Sequence, residues 1–235
     1  MKIQKSLTVL IPLYNKENLI RLTIEETFKL VNDIDYEIIV IENESTDNSK
    51  YIVEKIIKNS ETNIKLITTK KGLGNAIKAG IKNATKDFLM VIPADFSSGT
   101  SEVEFFKNQL QNDYVITSRL HNSSYAPIGL NRKLISKSYN ILKKNILNLH
   151  LLDTQFSFII KSDIAKNISK KCMTSGFFIT TELVYFALKE GVIIKEIPVK
   201  LHEQEHNKTT VRILRDSFDI FIEMLKLYIR EGKLE

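Results

Sequence analysis

The sequence predicts an α/β protein, a three-layer sandwich built around a mostly parallel sheet. Three observations carry that expectation. Short β-branched runs alternate with stretches of helical periodicity through the first half of the chain, and such alternation implies crossover connections and parallel pairing. The strand-like runs are apolar at consecutive positions, as in strands covered by helices on both faces. The composition is 43% hydrophobic and 26% charged over 235 residues, with 8 Gly and 4 Pro. That suits one full core with an appendage and no long linker.

In chain order, residues 7–12 open as a strand and 16–31 carry helical spacing. A strand at 36–41 leads to a helix at 47–58, and one at 64–68 to a helix at 74–84. Further strands are expected at 87–92 and 114–118. Residues 155–160 and 192–199 give two more, with a helix at 180–190 between them. Residues 130–149 read as a helix with Ile135, Tyr139, Leu142, Ile146 and Leu149 on one face and Lys133, Lys137 and Lys144 on the other. Leu214, Phe218, Phe221, Leu225 and Tyr228 repeat that spacing. The expected division is therefore a main domain at 1–210 and a C-terminal amphipathic helix at 211–235.

The single cysteine, Cys172, excludes an intrachain disulfide and suits a reducing compartment; a buried structural thiol is its plainest role. Residues 7–12 are too few for a signal-peptide core, and no run approaches the roughly 18 apolar residues of a spanning helix. A cytoplasmic protein without its own spanning anchor is expected. The net charge of +6 favours anionic partners. No Asp or Glu occurs from 114 to 152, while Arg119, Arg132, Lys133, Lys137, Lys143 and Lys144 fall there. That stretch lacks the interleaved aromatics of a base-stacking platform, so nucleic acid is not the expected partner.

Ligands of open α/β sheets gather at the carboxyl ends of the strands. Here those ends are Pro12-Leu13-Tyr14-Asn15, Glu42-Asn43-Glu44-Ser45, Thr69-Lys70-Lys71-Gly72 and Pro93-Ala94-Asp95. Carboxylates beside a basic loop suggest a metal–diphosphate site.

Ile11-Pro12-Leu13-Tyr14-Asn15-Lys16-Glu17 resembles the opening strand–loop of family 2 glycosyltransferases, and residues 37–47 resemble the second-strand signature that follows. Lys71-Gly72-Leu73-Gly74-Asn75-Ala76 resembles the family's glycine-rich turn, and Asp95 sits where its Asp-x-Asp motif ends. Thr117-Ser118-Arg119, Asp153-Thr154-Gln155, Glu182 and Glu205-His206-Asn207-Lys208 resemble the dolichyl-phosphate mannosyl- and glucosyltransferase branch. Asp153-Thr154-Gln155 leans slightly toward the glucosyl side.

The resemblance implies a GT-A nucleotide-diphosphosugar transferase fold. It places the nucleotide-diphosphosugar donor, of the GDP-mannose or UDP-glucose type, against Pro12, Tyr14, Asn15, Glu17, Glu42, Gly72, Gly74, Asn75 and Lys208. Asp95 would hold Mg²⁺ or Mn²⁺ on the diphosphate, and Arg119 and Arg132 would hold the phosphate of a polyprenyl acceptor at a membrane surface. A phosphate is already ionised at neutral pH and needs no general base.

Three motifs depart from the pattern. Pro93 replaces the first Asp of Asp-x-Asp and weakens the metal site, Glu42-Asn43-Glu44 replaces Asp-Asp-Gly, and Asn207 and Thr210 replace a glycine and a lysine. The rivals are a transferase with a soluble or protein acceptor, needing a base such as Glu182, and a non-catalytic relative, motivated by Pro93. His202-Glu203-Gln204-Glu205-His206 spells a zinc-protease pattern, but it follows a strand and precedes Asn-Lys-Thr-Thr, so a loop is expected there. The helix at 130–149 is expected to lie against anionic lipid.

Overall fold

The computed structural model describes residues 5–59, 63–95, 103–104, 106–125, 130–155, 157–200 and 213–234, with the side chains of 130–133, 213 and 214 outside that description. Fourteen named elements follow one another along these residues: β1 Leu7–Leu13, α1 Ile20–Val31, β2 Tyr36–Glu42, α2 Ser49–Asn59, β3 Ile64–Thr68, α3 Leu73–Asn83, β4 Phe88–Val91, β5 Tyr114–Ser118, α4 Leu130–Leu147, β6 Phe158–Lys161, α5 Ser162–Ser169, α6 Ile179–Lys189, β7 Ile194–Pro198 and α7 Ile213–Glu231.

The strands form one sheet in the order β3-β2-β1-β4-β6-β5-β7. β1 pairs parallel with both β2 and β4, β2 with β3, and β5 with β7. Among the described strands only β6 runs antiparallel, wedged between β4 and β5. The expected parallel sheet therefore carries one reversed strand, and that reversal matters for the site. It brings the residues entering β6 to the same edge as those leaving β4 and β5.

Alternating side chains divide the core in two, as the pleat requires. Val9, Ile11, Ile38, Val40 and Met90 pack with Ile20, Ile24 and Val53 of α1 and α2. Leu10, Ile39, Ile41, Leu89 and Val91 pack on the other face with α3, α5 and α6. Met224 and Leu227 of α7 join that second cluster, so the C-terminal helix is anchored by its own apolar stripe. Its end is tied down further, Leu234 N–H donating to the Leu147 carbonyl and Tyr185 Oη to that of Gly232.

Candidate active site

The strand order reverses at β1, with β2 on one side and β4 on the other. A crevice forms at such a switch point, beyond the carboxyl ends of the strands. Its floor is the loop after β1 stitched to the loop after β2. Asn15 N–H donates to Ser45 Oγ at 3.2 Å, Thr46 N–H to Asn15 Oδ1 at 2.7 Å, Lys16 N–H to Ser49 Oγ at 2.8 Å and Glu17 N–H to Asp47 Oδ2 at 3.0 Å. The Glu17 carboxylate in turn accepts the backbone N–H of Asn48 at 2.9 Å. The buried Glu42 carboxylate accepts the Ser45 N–H. Asn15 and Glu44 adopt positive φ of 50° and 58°, a conformation that costs energy outside glycine and collects at ligand-binding loops.

Asp95 faces this floor from beyond β4. Its Oδ2 lies 3.3 Å from Lys16 Nζ, and the loop is held in place by Thr23 Oγ1, which donates to the Ala94 carbonyl at 2.8 Å. Among the described residues no three His, Cys, Asp or Glu side chains converge as a closed metal cage. One carboxylate is nevertheless the donor set that Mg²⁺ uses when substrate phosphates and water complete its shell. Asp95 fits that arrangement, with Lys16 beside it as a second positive charge for a diphosphate.

The turn Lys70–Asn75 forms the crevice's far wall. Lys71 Nζ lies 4.2 Å from the centroid of the Tyr14 ring and also meets its hydroxyl, which fixes the candidate donor residue Tyr14 against the turn that carries Gly72 and Gly74. Gly72 has φ of 131°, and a Cβ there would fall 2.3 Å from the Ser175 carbonyl oxygen. A Cβ on Gly74 would fall 2.3 Å from that of Thr174. The Ser175 carbonyl accepts Gly74 N–H at 2.8 Å and Asn75 N–H at 3.3 Å. The backbone that these glycines admit is therefore the chain's own, at 174–175.

Arg119, just beyond β5, grips Asp153 with two guanidinium bonds, Nε to Oδ2 at 2.7 Å and Nη2 to Oδ1 at 3.0 Å. Burial opposes ionisation of Asp153, but the Arg119 charge and hydrogen bonds outweigh it and hold the carboxyl below its usual range. Glu196 of β7 fixes the same loop from below by accepting the N–H groups of Leu152 and Asp153 at 2.8 and 3.1 Å. Arg119, Asp153 and Gln155 form one end of a cavity of about 320 Å³ between α4 and α7. Ile135, Leu142, Ile220, Phe221 and Met224 line its body. Gln155 Nε2 is buried there without a hydrogen-bond partner among the described residues.

The model of Glycosyl transferase family 2 matches residues 8–168. The chain belongs to that family. It is 24% identical over 233 residues to the dolichyl-phosphate beta-glucosyltransferase of Saccharomyces cerevisiae, across 88% of this chain and 70% of that one. It is 26% identical over 142 residues to an undecaprenyl-phosphate 4-deoxy-4-formamido-L-arabinose transferase of Pectobacterium carotovorum, across 59% of this chain but only 43% of the relative. Among solved structures, glucosyl-3-phosphoglycerate synthase of Mycobacterium tuberculosis with uridine diphosphate superposes with a TM-score of 0.74 at 15% identity, over 96% of this chain and 80% of that one. The same enzyme with Mn²⁺, uridine diphosphate and glucosyl-3-phosphoglycerate matches equally well, over 100% and 82%. The GT-A fold expected from the motifs is the fold observed.

Within this family 2 glycosyltransferase the crevice brings together Pro12, Tyr14, Asn15, Glu17, Glu42 and Asp95, with Gly72, Gly74 and Asn75 in its far wall. Arg119 lines the α4–α7 cavity. Arg132 falls in the first turn of α4, its side chain outside the description, and Lys208 with the His202–His206 motif lies outside the described residues.

The basic stretch needs a correction at Lys143. This residue is fully buried, its Nζ donating to the Leu151 carbonyl and lying 5.6 Å from the Tyr139 ring. Burial lowers its pKa to about 8 against the raising charges of Asp153 and Glu196. Most of the apolar stripe expected to meet lipid packs inward, with Tyr139 and Ile146 against the core and Leu149 buried, while Leu134 and Ile141, outside that stripe, are exposed.

Glu182 also finds its role in the structure. It is buried and ion-paired with Arg230 at 2.8 Å. Sequence reasoning missed Glu196, and it assigned no role to Lys16 or Gln155, although both stand within the motifs that carry the resemblance. Lys16 had one usable signal, its place directly after the first strand-end motif.

Proposed function

We propose that the chain transfers a hexosyl group from a nucleotide-diphosphosugar, of the GDP-mannose or UDP-glucose type, to a polyprenyl phosphate, with inversion at the anomeric carbon. The cavity between α4 and α7 carries this reading. Its lining is mainly apolar, from Leu120, Ile135, Leu142, Ile220, Phe221 and Met224 with Ser136, Ser138, Asn140 and Ser217 among them, which suits a prenyl chain, and Arg119 and Gln155, which suit a phosphate, line it too. The names of the yeast and Pectobacterium relatives, both transferases to polyprenyl phosphates, support the same acceptor class.

In the reaction an ionised acceptor oxygen attacks the anomeric carbon as its bond to the diphosphate breaks, and the nucleoside diphosphate leaves with the electron pair. No proton has to be removed from the nucleophile, so the site needs no base. Glu182 accordingly serves elsewhere, its carboxylate already taken by Arg230 and backbone N–H groups. Lys16 places an ammonium where negative charge develops on the diphosphate, and Lys71 stiffens Tyr14 against the donor. Asp95 would hold a divalent cation, which when bound would supply further neutralisation of that leaving group. Arg119, with its plane fixed by Asp153, holds the acceptor phosphate in line.

No helix among the described residues is long and apolar enough to cross a membrane. On α4, Leu134 and Ile141 are exposed at 64% and 54%, beside the exposed Lys137 and Lys144. Phe218 of α7 is 63% exposed. Apolar side chains set among cations suit the headgroup boundary of an anionic bilayer. The proposed working place is therefore the cytoplasmic membrane surface, with the cavity reached from the lipid.

The test is transfer from labelled UDP-glucose and GDP-mannose to a short polyprenyl phosphate, with 3-phosphoglycerate as a soluble comparison and each arm with and without Mn²⁺. Label in the organic phase supports the reading. Transfer to the soluble acceptor alone, or to neither, overturns it.

A further inference from the structure

We propose that Glu182 and Arg230 form a positioning pair that sets the donor-side turn from the C-terminal helix. The inference rests on the donor reading of the crevice given above. Glu182 is 2% exposed at the start of α6, and both its oxygens are used. Oε1 accepts the Met173 N–H at 3.0 Å and Arg230 Nη2 at 2.8 Å, and Oε2 accepts the Thr174 N–H at 2.9 Å. The carboxylate thus holds the strand of chain at 173–174 by its amides. The carbonyls of the next peptide units face the other way, where Ser175 accepts the N–H groups of Gly74 and Asn75.

The contact with the glycine turn is as tight as backbone allows, since a Cβ on Gly72 or Gly74 would lie 2.3 Å from the Ser175 or Thr174 oxygen. A shift of the 173–175 segment must therefore move the turn. The turn in turn carries Lys71, which is stacked on Tyr14. One continuous set of contacts runs from α7 through Arg230, Glu182 and Ser175 to the face of Tyr14.

Arg230 is well placed to act as the far end of this set. It lies near the end of α7, and its guanidinium also reaches the Lys171 carbonyl at 3.4 Å and sits 5.6 Å from the Phe186 ring. The same helix supplies Ile220, Phe221 and Met224 to the wall of the α4–α7 cavity. Seating of an acceptor chain and shaping of the donor turn thus share one rigid element. Removing Arg230 leaves Glu182 as a buried carboxylate without its cation, a change that displaces such groups or their partners.

The experiment measures nucleoside diphosphate affinity and donor kinetics for the wild type, Arg230→Ala, Arg230→Lys and Glu182→Gln, with thermal melting as the control for folding. Expected are a donor KM and a nucleoside diphosphate Kd raised about 10-fold in Arg230→Ala and in Glu182→Gln, the size of one tightened hydrogen-bonded contact. The kcat should fall less than threefold at saturating donor, and Arg230→Lys should recover most of the lost affinity. A drop in melting temperature with donor KM and Kd unchanged in the folded fraction overturns the inference, leaving the pair purely structural. Should the wild type itself bind neither uridine nor guanosine diphosphate, the donor reading fails instead. Arg230 is exposed enough that its variants test the idea even where Glu182→Gln does not fold.

Discussion

Arg119 and Asp153 stand 34 residues apart in the chain and meet in a two-point ion pair, with bonds of 2.7 and 3.0 Å, at the polar end of the α4–α7 cavity. The antiparallel insertion of β6 makes the meeting possible, because it delivers residues 153–155 to the edge where β5 ends. A guanidinium fixed in this way presents a set plane to whatever enters the cavity.

Asp153→Asn keeps the shape of the site and leaves one carbonyl oxygen where two carboxylate oxygens stood. Its acceptor KM should rise roughly 10-fold or more, since charge-assisted bonds are worth about 1.5–3 kcal/mol each, while donor KM stays within twofold. The folded pKa of Asp153 is depressed, so its stabilising contribution is present above the unfolded pKa near 4 and is lost as pH falls through the folded value. Asp153→Asn should therefore flatten acid unfolding. Melts between pH 3 and 7 and acceptor titrations at saturating donor check both halves.

Lys143 gives a second pH signature, with the opposite placement. Its folded pKa of about 8 lies below the ordinary 10.5. Between these values the unfolded chain binds more protons, so stability rises as pH climbs through that window. The full shift is on the order of 3 kcal/mol. Lys143→Met should remove that rise, and the difference between wild-type and variant melting curves from pH 7 to 10.5 is the measurement. Parallel curves would show that the buried amine is not titrating there.

Most of the framework was legible in the chain. The first five strands lie within two residues of their expected bounds, because β-branched runs between polar turns admit little else. The helix expected from residue 16 begins only at Ile20, since Lys16 and Glu17 are engaged by Ser49 and Asp47 across the crevice. α5 was missed because a helix of eight residues starting directly after a strand shows only Ala165 and Ile168 as a buried stripe. The direction of β6 carries no local signal at all. Asp95 was visible from its place after a strand, whereas its partner Lys16 depends on how two loops fold over the sheet. Lys143 misled because a lysine stem packs like a hydrophobe once its amine finds a carbonyl.

Gly74→Ala tests the close approach between α3 and residues 174–175. Gly74 has no positive φ, so the effect is steric, a Cβ 2.3 Å from the Thr174 oxygen. A loss of about 1–3 kcal/mol is expected from such overpacking, together with weaker nucleoside diphosphate binding as the turn is pushed away. Urea unfolding and calorimetric titration report the two effects, and an unchanged stability would mean that the 174–175 segment yields freely.

Asp95→Asn should abolish any metal dependence of donor binding while leaving the fold intact, and Pro93→Asp should strengthen it by adding a second carboxylate within the same loop. Titration of uridine diphosphate with and without Mn²⁺ reads both variants. If Asp95→Asn leaves the Mn²⁺ effect unchanged, the cation is held by other groups and Lys16 alone faces the diphosphate from this side.

The exposed face of α4 should bring the enzyme to anionic membranes reversibly, with charge as a main cause. Leu134 and Ile141 project from it at 64% and 54% exposure, and Lys137 and Lys144 lie exposed beside them. Each cation near an anionic surface contributes about 1 kcal/mol, so two give roughly a 30-fold preference over neutral lipid. Lys137→Glu with Lys144→Glu replaces that attraction by repulsion and should release the protein from phosphatidylserine vesicles. Leu134→Ser with Ile141→Ser should weaken binding to anionic and neutral lipid alike, because it removes the apolar anchor. Raised salt should lower wild-type binding, as the Debye length shrinks from about 10 Å at 0.1 M to about 3 Å at 1 M. Turnover of a short, water-soluble polyprenyl phosphate should persist in the double glutamate variant, since neither lysine lines the α4–α7 cavity, whereas Leu134 does line it and the serine variant is read by vesicle binding alone. Vesicle cosedimentation with activity measured in parallel separates the cases. Equal pelleting of wild type and the double glutamate variant would show that α4 is part of the fold only and that the lipid surface is met elsewhere.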